Sequence, residues 1–400
     1  MKRIESFDFL RGILLIFVIF FHASVFNYAN IHKIDFSNPP ILVVIISFLT
    51  LWGGMIIFYS GIINTLMALR RNNKFYLKFL VYAGIIYLFI SYILNIFLGR
   101  WTNDFINNKP DLTMVANLIR TSQLQFPHIS KWFEGSSLMI IGINLILLSL
   151  LLRLWLKKGS MDYKKQYLVL SISGFVIMFI SFIRIYLYPL IEQSIKQHNY
   201  VLATILSYAV ANPYPLLPYL AYGLFASMMG LIIYQERFDL IKKIMIPIAS
   251  FFCLFGFVGM SQFEKTISKA DYFWYFKTQF ELGVFIFIAI FITYLYLVKH
   301  KEFKWARFIK NFSTVSLTIY LLEVALSELL GKVLLSLLPM WNQTINGCLL
   351  FGFVNVMIWG LILMIWHKFN FKYSLEYFWV LFFSKIGKIS TKISHPSEKI

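Results

Sequence analysis

Long apolar runs, broken at intervals by short clusters of basic and turn-forming residues, dominate the chain. A helix needs about 20 mostly apolar residues to cross a bilayer. Runs of that kind predict spans over 9–28, 41–67, 76–98, 135–156, 167–189, 215–234, 244–262, 278–298, 314–337 and 347–366. The stretch 201–211 (VLATILSYAVA) is apolar but too short, and Asn212-Pro213-Tyr214-Pro215 follows it. It reads as an interfacial or re-entrant segment. Tyr373–Ile386 (YSLEYFWVLFFSKI) reads as an aromatic helix lying on the inner membrane surface, followed by a basic tail. The expected fold is all-α, a polytopic integral membrane protein of about ten transmembrane helices.

Composition agrees with this pattern. Of 400 residues, 59% are apolar and 14% charged, against roughly 45–50% and about 25% in soluble chains. Mean hydropathy is +0.71. A compact water-soluble core of this size could not bury 42 Phe, 23 Tyr and 10 Trp. The first apolar run carries Arg11 and leads to no small-residue cleavage site, so no cleavable signal peptide is expected. Cys253 and Cys348 both lie inside apolar runs and read as small hydrophobes, not as a disulfide.

The chain carries 37 Lys and Arg against 18 Asp and Glu, a net charge of +19. In a soluble protein that excess would suggest nucleic acid. Here most of the cations gather in alternate loops: Arg70, Arg71, Lys74 and Lys78; Arg153, Lys157 and Lys158; Arg237, Lys242 and Lys243; Lys299 to Lys310; and the tail from Lys368. The positive-inside rule then puts both termini in the cytoplasm. The charge reads as topology plus attraction to anionic lipid, with no nucleic-acid partner.

A charged side chain inside a span costs roughly 2.5–3.5 kcal/mol on insertion scales, so each one calls for a reason. The first span opens with Asp8-Phe9-Leu10-Arg11-Gly12 and later carries His22. Arg11 and His22 stand eleven positions apart. That is close to three full turns, which puts both on one helix face, about 16 Å apart along the axis. Asp8 precedes Arg11 by one turn and can pair with it. The result is a polar track with a cation near the inner surface and an imidazole in the outer half. Glu323 and Glu328 stand five apart in the ninth span and point to different faces, so at most one can share a cavity with His22. Arg184 and Glu281 read as residues near helix ends whose charged tips reach water.

At the inner end of the second span, Ser60-Gly61-Ile62-Ile63-Asn64 precedes Arg70, Arg71, Lys74 and Lys78. Topology alone calls for cations there, and the same cluster would hold a nucleotide phosphate. The chain has no Walker loop, Rossmann fingerprint, zinc-ligand spacing or Gly-x-Ser-x-Gly elbow.

Taken in order, these residues resemble the motifs of a known family. Arg3-Ile4-Glu5-Ser6-Phe7-Asp8-Phe9-Leu10-Arg11-Gly12, with His22 after it, resembles the opening of the membrane acyltransferase superfamily. That group includes acyltransferase family 3 and the catalytic region of heparan-α-glucosaminide N-acetyltransferase. Phe58-Tyr59-Ser60-Gly61-Ile62-Ile63 is similar to the family's second-span stretch. Pro215-Leu216-Leu217-Pro218-Tyr219 with Gly223 resembles the start of a later helix, and Ser313 to Glu323 the family's late "S-x-x-x-YL" helix. Glu323 stands where family members often carry His, and Arg70-Arg71 replaces an Arg-x-x-Arg pair.

The resemblance implies a ten-helix membrane acyltransferase domain over 1–372, with 373–400 an interfacial helix and basic cytoplasmic tail. It implies transfer of an acyl group, commonly acetyl, from cytoplasmic acyl-CoA to a hydroxyl or amine of a glycan or lipid-linked sugar across the membrane. His22 is then the catalytic histidine and Arg11 its motif partner, acting by general-base catalysis or through an acyl-histidine relay. Arg70, Arg71, Lys74 and Lys78 would bind the phosphates of acetyl-CoA or another acyl-CoA, the co-substrate. Asp8, Ser60, Tyr320 and Glu323 are the supporting polar residues, and no metal is expected. Membrane lipids are the remaining partners, and a homodimer stays open. The Lys-, Ile- and Phe-rich composition points to a prokaryotic cell membrane. The rival expectation is a secondary transporter or a glycan or lipid permease, which would show two halves of matching hydropathy. Residues 1–200 and 201–400 show no such symmetry.

Overall fold

A computed structural model of the chain describes residues 5–30, 52–71, 74–99, 102–104, 109–111, 113–127, 129, 132, 136–157, 163–210, 214–263, 271–298 and 304–387. Apolar sequence in a medium without water must satisfy its own backbone, and the helix does so within one segment. Helices accordingly make up nearly all of it: α1 Glu5–Phe26, α2 Trp52–Arg71, α3 Lys74–Ile93, α4 Met114–Thr121, α5 Ser137–Lys157, α6 Tyr163–Ile180 and α7 Arg184–Lys196. There follow α8 Tyr200–Val210, α9 Leu216–Tyr234, α10 Ile246–Met260, α11 Tyr272–Val298 and α12 Lys304–Thr314. The last three are α13 Ser316–Leu337, α14 Ile345–Lys368 and α15 Leu375–Gly387. One small antiparallel hairpin, β1 Thr102–Asp104 with β2 Lys109–Asp111, pairs Asn103 with Pro110.

Among the described residues, nine helices are long and apolar enough to cross a membrane. They match nine of the ten predicted runs. The remaining run, 314–337, forms α13, which falls short of that apolar standard because Glu323, Glu328 and Lys332 sit within it. The second predicted span is displaced: 41–51 lies outside the described residues, and α2 runs on to Arg71. The basic tail from residue 388 also lies outside them. Of the segment 201–211, the described part lies in α8 and packs on α7 as a hairpin, through Ile191, Ile195, Ala203, Leu206 and Val210. A 3-10 turn, Ser181–Ile183, joins α6 to α7. Together they make a rod of 34 residues, about 51 Å long, well beyond the ~30 Å hydrocarbon thickness.

Packing alternates in direction. Helix α3 runs against α5, with Gly84 on Gly142 and the Ser149 hydroxyl donating to Leu77 O at 2.7 Å. Helix α6 runs against α9, where Tyr167 meets Gln235 and Phe175 meets Phe225. Helix α1 runs against α14 and parallel to α13. The central helix is α9, whose Tyr222, Phe225, Ala226, Met228 and Met229 are fully buried. The outer faces are apolar too: Leu168, Ile172 and Phe179 of α6, and Leu350, Phe353, Leu361 and Ile365 of α14, are all exposed. Such surfaces suit a hydrocarbon solvent and are consistent with an integral membrane protein.

Two apolar cores meet at α1. Phe7, Leu10 and Leu14 belong to the large core around α9. Leu15 and Ile19 belong to a smaller one with Phe312, Ile319, Val356 and Trp359. At 100° per residue Arg11 and His22 fall between those two faces. The polar track therefore lies along the seam, against α13.

The α3–α5 crossing depends on two facing glycines. A Cβ at Gly84 would stand 2.5 Å from Gly142 O, and one at Gly142 2.6 Å from Gly84 O. Gly142→Val is expected to lower stability by about 1–3 kcal/mol through overpacking. Thermal unfolding in detergent checks this, with Leu168→Ala on the exposed face as the control that leaves the midpoint in place.

Candidate functional site

Three ties build the site, one from α1 to Ser313 near the end of α12 and two from α1 to the parallel α13. At one end Arg11 donates through Nε to Ser313 Oγ at 2.7 Å, and its Nη2 stands 3.5 Å from Asp8 Oδ1. Ser313 Oγ in turn donates to Asp8 Oδ1 at 3.3 Å. The guanidinium carbon lies 5.8 Å from the centre of the Tyr59 ring, which also packs on Phe7. Asp8 is buried, whereas the Arg11 side chain keeps 29% of its surface accessible.

Farther along, His22 Nδ1 is hydrogen-bonded to Glu323 Oε1. An ionised carboxylate can only accept, so opposite it Nδ1 is the donor. The imidazole packs beside the rings of Phe21 and Phe26, with centroids at 5.9 and 5.4 Å. Glu323 is 2% exposed. Its Oε2 is buried with no hydrogen-bond partner among the described residues. At the far end Asn27 Nδ2 donates to Ser327 Oγ at 3.3 Å.

Glu328 faces another way. Arg120 of α4 holds it with both nitrogens of a fork, Nη2 donating to Oε1 at 2.7 Å. Of the two glutamates of α13, Glu323 is thus the one that reaches His22. Tyr320, one turn before it, shares a hydrogen bond with Ser137 of α5 at 2.8 Å.

The four basic residues gather at the α2–α3 turn. Arg70 and Arg71 close α2 and Lys74 opens α3. The Arg71 guanidinium lies 4.8 Å from the centre of the Tyr76 ring, and Lys78 is exposed. Tyr59 lies eleven positions before Arg70, about 16 Å along α2. Arg11 therefore stands between His22 and the basic turn. Among the described residues, no group of His, Cys, Asp or Glu could hold a metal ion.

Ser60 lies on another face of α2 from Tyr59, the residue that meets Arg11: Asn64 Nδ2 donates to its Oγ at 3.0 Å beside a cavity of about 20 Å³ that Asn144, Gly223 and Ser227 also line. Two expectations need revision. Arg184 is not a water-reaching side chain. It is 1% exposed, donates to Val210 O at 2.7 Å and lies 3.4 Å from the centre of the Trp274 ring. Glu281 is likewise 4% exposed, 3.5 Å from Lys277 Nζ. The long α6–α7 rod carries Arg184 inside the bundle instead of ending there.

Sequence reasoning missed Tyr59, Ser313 and Glu376 as members of the polar network. Tyr59 and Ser313 lay inside the quoted motifs, but nothing local marks the face on which they act. No known family model and no curated protein matches the chain.

Arg120→Ala would strand the Glu328 carboxylate in an apolar setting. Loss of one partner of a fully buried pair costs about 3–5 kcal/mol; with Arg120 partly exposed, about 2 kcal/mol is expected. Thermal unfolding of Arg120→Ala beside the Arg120→Ala/Glu328→Gln double variant checks this, and the double variant should regain most of the loss.

Proposed function

We propose that the chain is a membrane acyltransferase with both termini in the cytoplasm. It moves an acyl group, acetyl in the simplest case, from cytoplasmic acyl-CoA to a hydroxyl or amine of a glycan or lipid-linked sugar on the other side. The observation that carries this reading is the buried His22–Glu323 pair, lined up with Arg11 along the seam between two helices. Burying an imidazole and a carboxylate together in an apolar bundle has a structural cost that a catalytic role accounts for.

The proposed chemistry uses His22 as the neutral imidazole with its proton on Nδ1. Nε2 of neutral His22 takes the proton of the acceptor hydroxyl as that oxygen bonds to the thioester carbonyl carbon. The carbonyl oxygen gains the electron pair, then returns it as the carbon–sulfur bond breaks. The departing CoA thiolate takes the proton from His22 Nε2, which restores the starting state. Glu323 holds Nδ1–H throughout and stabilises the transient imidazolium, as a carboxylate does in other histidine-based sites. Its free Oε2 offers an acceptor to a second hydroxyl of a sugar.

The donor would enter from the basic turn. Arg70, Arg71, Lys74 and Lys78 suit its phosphates, Arg71 by planar bidentate contact. Arg11, between that turn and His22, meets the donor on its way to the thioester position. The stretch from Arg11 to His22, about 16 Å, is a reach of the kind a long thiol arm requires.

Calorimetry and thiol release by the detergent-purified protein test the reading. Wild type should bind acetyl-CoA or a longer acyl-CoA and release free thiol when amino sugars or glycans are added. Arg71→Ala should weaken donor binding about tenfold, the loss of one charge-assisted contact. His22→Ala should leave binding in place and lower turnover by about 10²–10⁴, the usual contribution of a general base. A folded wild type that binds no acyl-CoA, or a His22→Ala variant with full activity, overturns the proposal.

A further inference from the structure

The C-terminal helix is locked into the start of α13. Glu376, near the beginning of α15, accepts at Oε1 from the backbone N–H of Leu317 at 2.6 Å and of Thr318 at 3.3 Å. Its Oε2 accepts the Thr318 hydroxyl at 2.6 Å, and Thr318 Oγ1 accepts from Leu375 N–H at 2.8 Å. Helix α13 has no side-chain cap of its own, since its capping position is Val315. The orphan donors of its first turn are met by a carboxylate from another helix, at the end where the helix dipole favours an anion.

The lock is braced on both sides. Ser374, 1% exposed, caps α15 itself by accepting from Tyr377 N–H at 3.0 Å. One turn beyond Glu376, Trp379 packs on Tyr87 and Phe79 of α3, with ring centres at 5.7 and 6.4 Å. Upstream, Ser313 holds Arg11 just before α13 begins. Downstream, Glu323 stands six residues past Leu317, about 9 Å along the axis. A slide or rotation of α13 small enough to leave its apolar packing intact would still take Glu323 away from His22.

We propose that Glu376 is a positioning residue: capping α13 from the C-terminal helix, it sets the height and rotation at which Glu323 meets His22. The inference rests on the reading of His22 as the reacting group, but its structural half stands apart from any substrate. Glu376 touches neither donor nor acceptor; it acts through α13. The geometry of the pair thereby depends on a docked C-terminal helix.

Amide hydrogen exchange of the full-length protein in detergent tests it, with wild type beside Glu376→Ala, Glu376→Gln and Glu323→Gln. In Glu376→Ala, exchange at Leu317 and Thr318 should quicken about fivefold, as loss of a cap does. The faster exchange should extend to the peptides carrying Glu323 and His22, and α9 should be unaffected. Glu376→Gln keeps an oxygen for the two backbone donors and should restore most of the protection. Thr318→Val, which cuts only the hydroxyl link, serves as the second variant should Glu376→Ala fail to fold.

Faster exchange confined to the first turn of α13, or no change at all, overturns the proposal. Where transfer is measurable, Glu376→Ala should lower kcat about tenfold with donor affinity unchanged, and should add little in a Glu323→Gln background. Additive losses would make it a general stabiliser and overturn the positioning role. An inactive wild type removes the acyltransferase reading alone, because the exchange pattern needs no substrate.

Discussion

An ionisable group buried in an apolar bundle has to find its partner on another helix, and that requirement orders this structure. Between helices in a hydrocarbon medium there is little hydrophobic drive, since lipid tails are as apolar as leucine. Apolar faces can therefore exchange neighbours at small cost, and polar ones cannot. His22 with Glu323, Arg11 with Ser313, Arg120 with Glu328 and Arg184 with Val210 each join two elements that apolar packing alone would not single out. Each tie stops rotation of its helices as well as separation.

Helix α1 shows how this works. Its apolar positions serve two cores at once, Phe7, Leu10 and Leu14 on one side, Leu15 and Ile19 on the other. Rotating it by one residue would bury neither set well and would turn Arg11 and His22 into apolar surroundings. Helix α13 carries three charged residues, Glu323, Glu328 and Lys332, within its apolar sequence. It stays in the bundle because Glu323, Glu328, Ser327 and its first-turn amides all have partners. The polar track and the fold are thus one arrangement: the residues that suit the chemistry also choose which helices stand side by side.

Much of the fold was legible because bilayer thickness imposes a length on apolar sequence, and that length can be counted. Nine of the ten predicted runs are long apolar helices. The Arg11–His22 alignment was legible for a similar reason, since it depends only on the pitch of one helix. Partners across helices were not. Glu323 and Glu328 look alike in sequence, yet one meets His22 and the other Arg120. Ser60 and Tyr59 are adjacent, yet only Tyr59 meets Arg11. Which neighbour lies opposite is a matter of helix rotation, and no local pattern encodes it.

The reading of Arg184 went astray on the same point. A charged residue near the end of a predicted span ordinarily reaches for water. Here the helix continues through a 3-10 turn, and Arg184 lies inside, over Trp274. The amino-acid sequence by itself determined the helical class, the places where the chain is apolar enough to span, and the intrahelical spacing of Asp8, Arg11 and His22. These follow from backbone pitch and local hydropathy, which each segment carries alone. Tertiary structure alone decided that Glu323 and not Glu328 closes on His22, that Ser60 faces away, and that a carboxylate of the last helix caps α13. Those outcomes rest on the relative height and rotation of separate helices, set by the packing of the whole bundle at once.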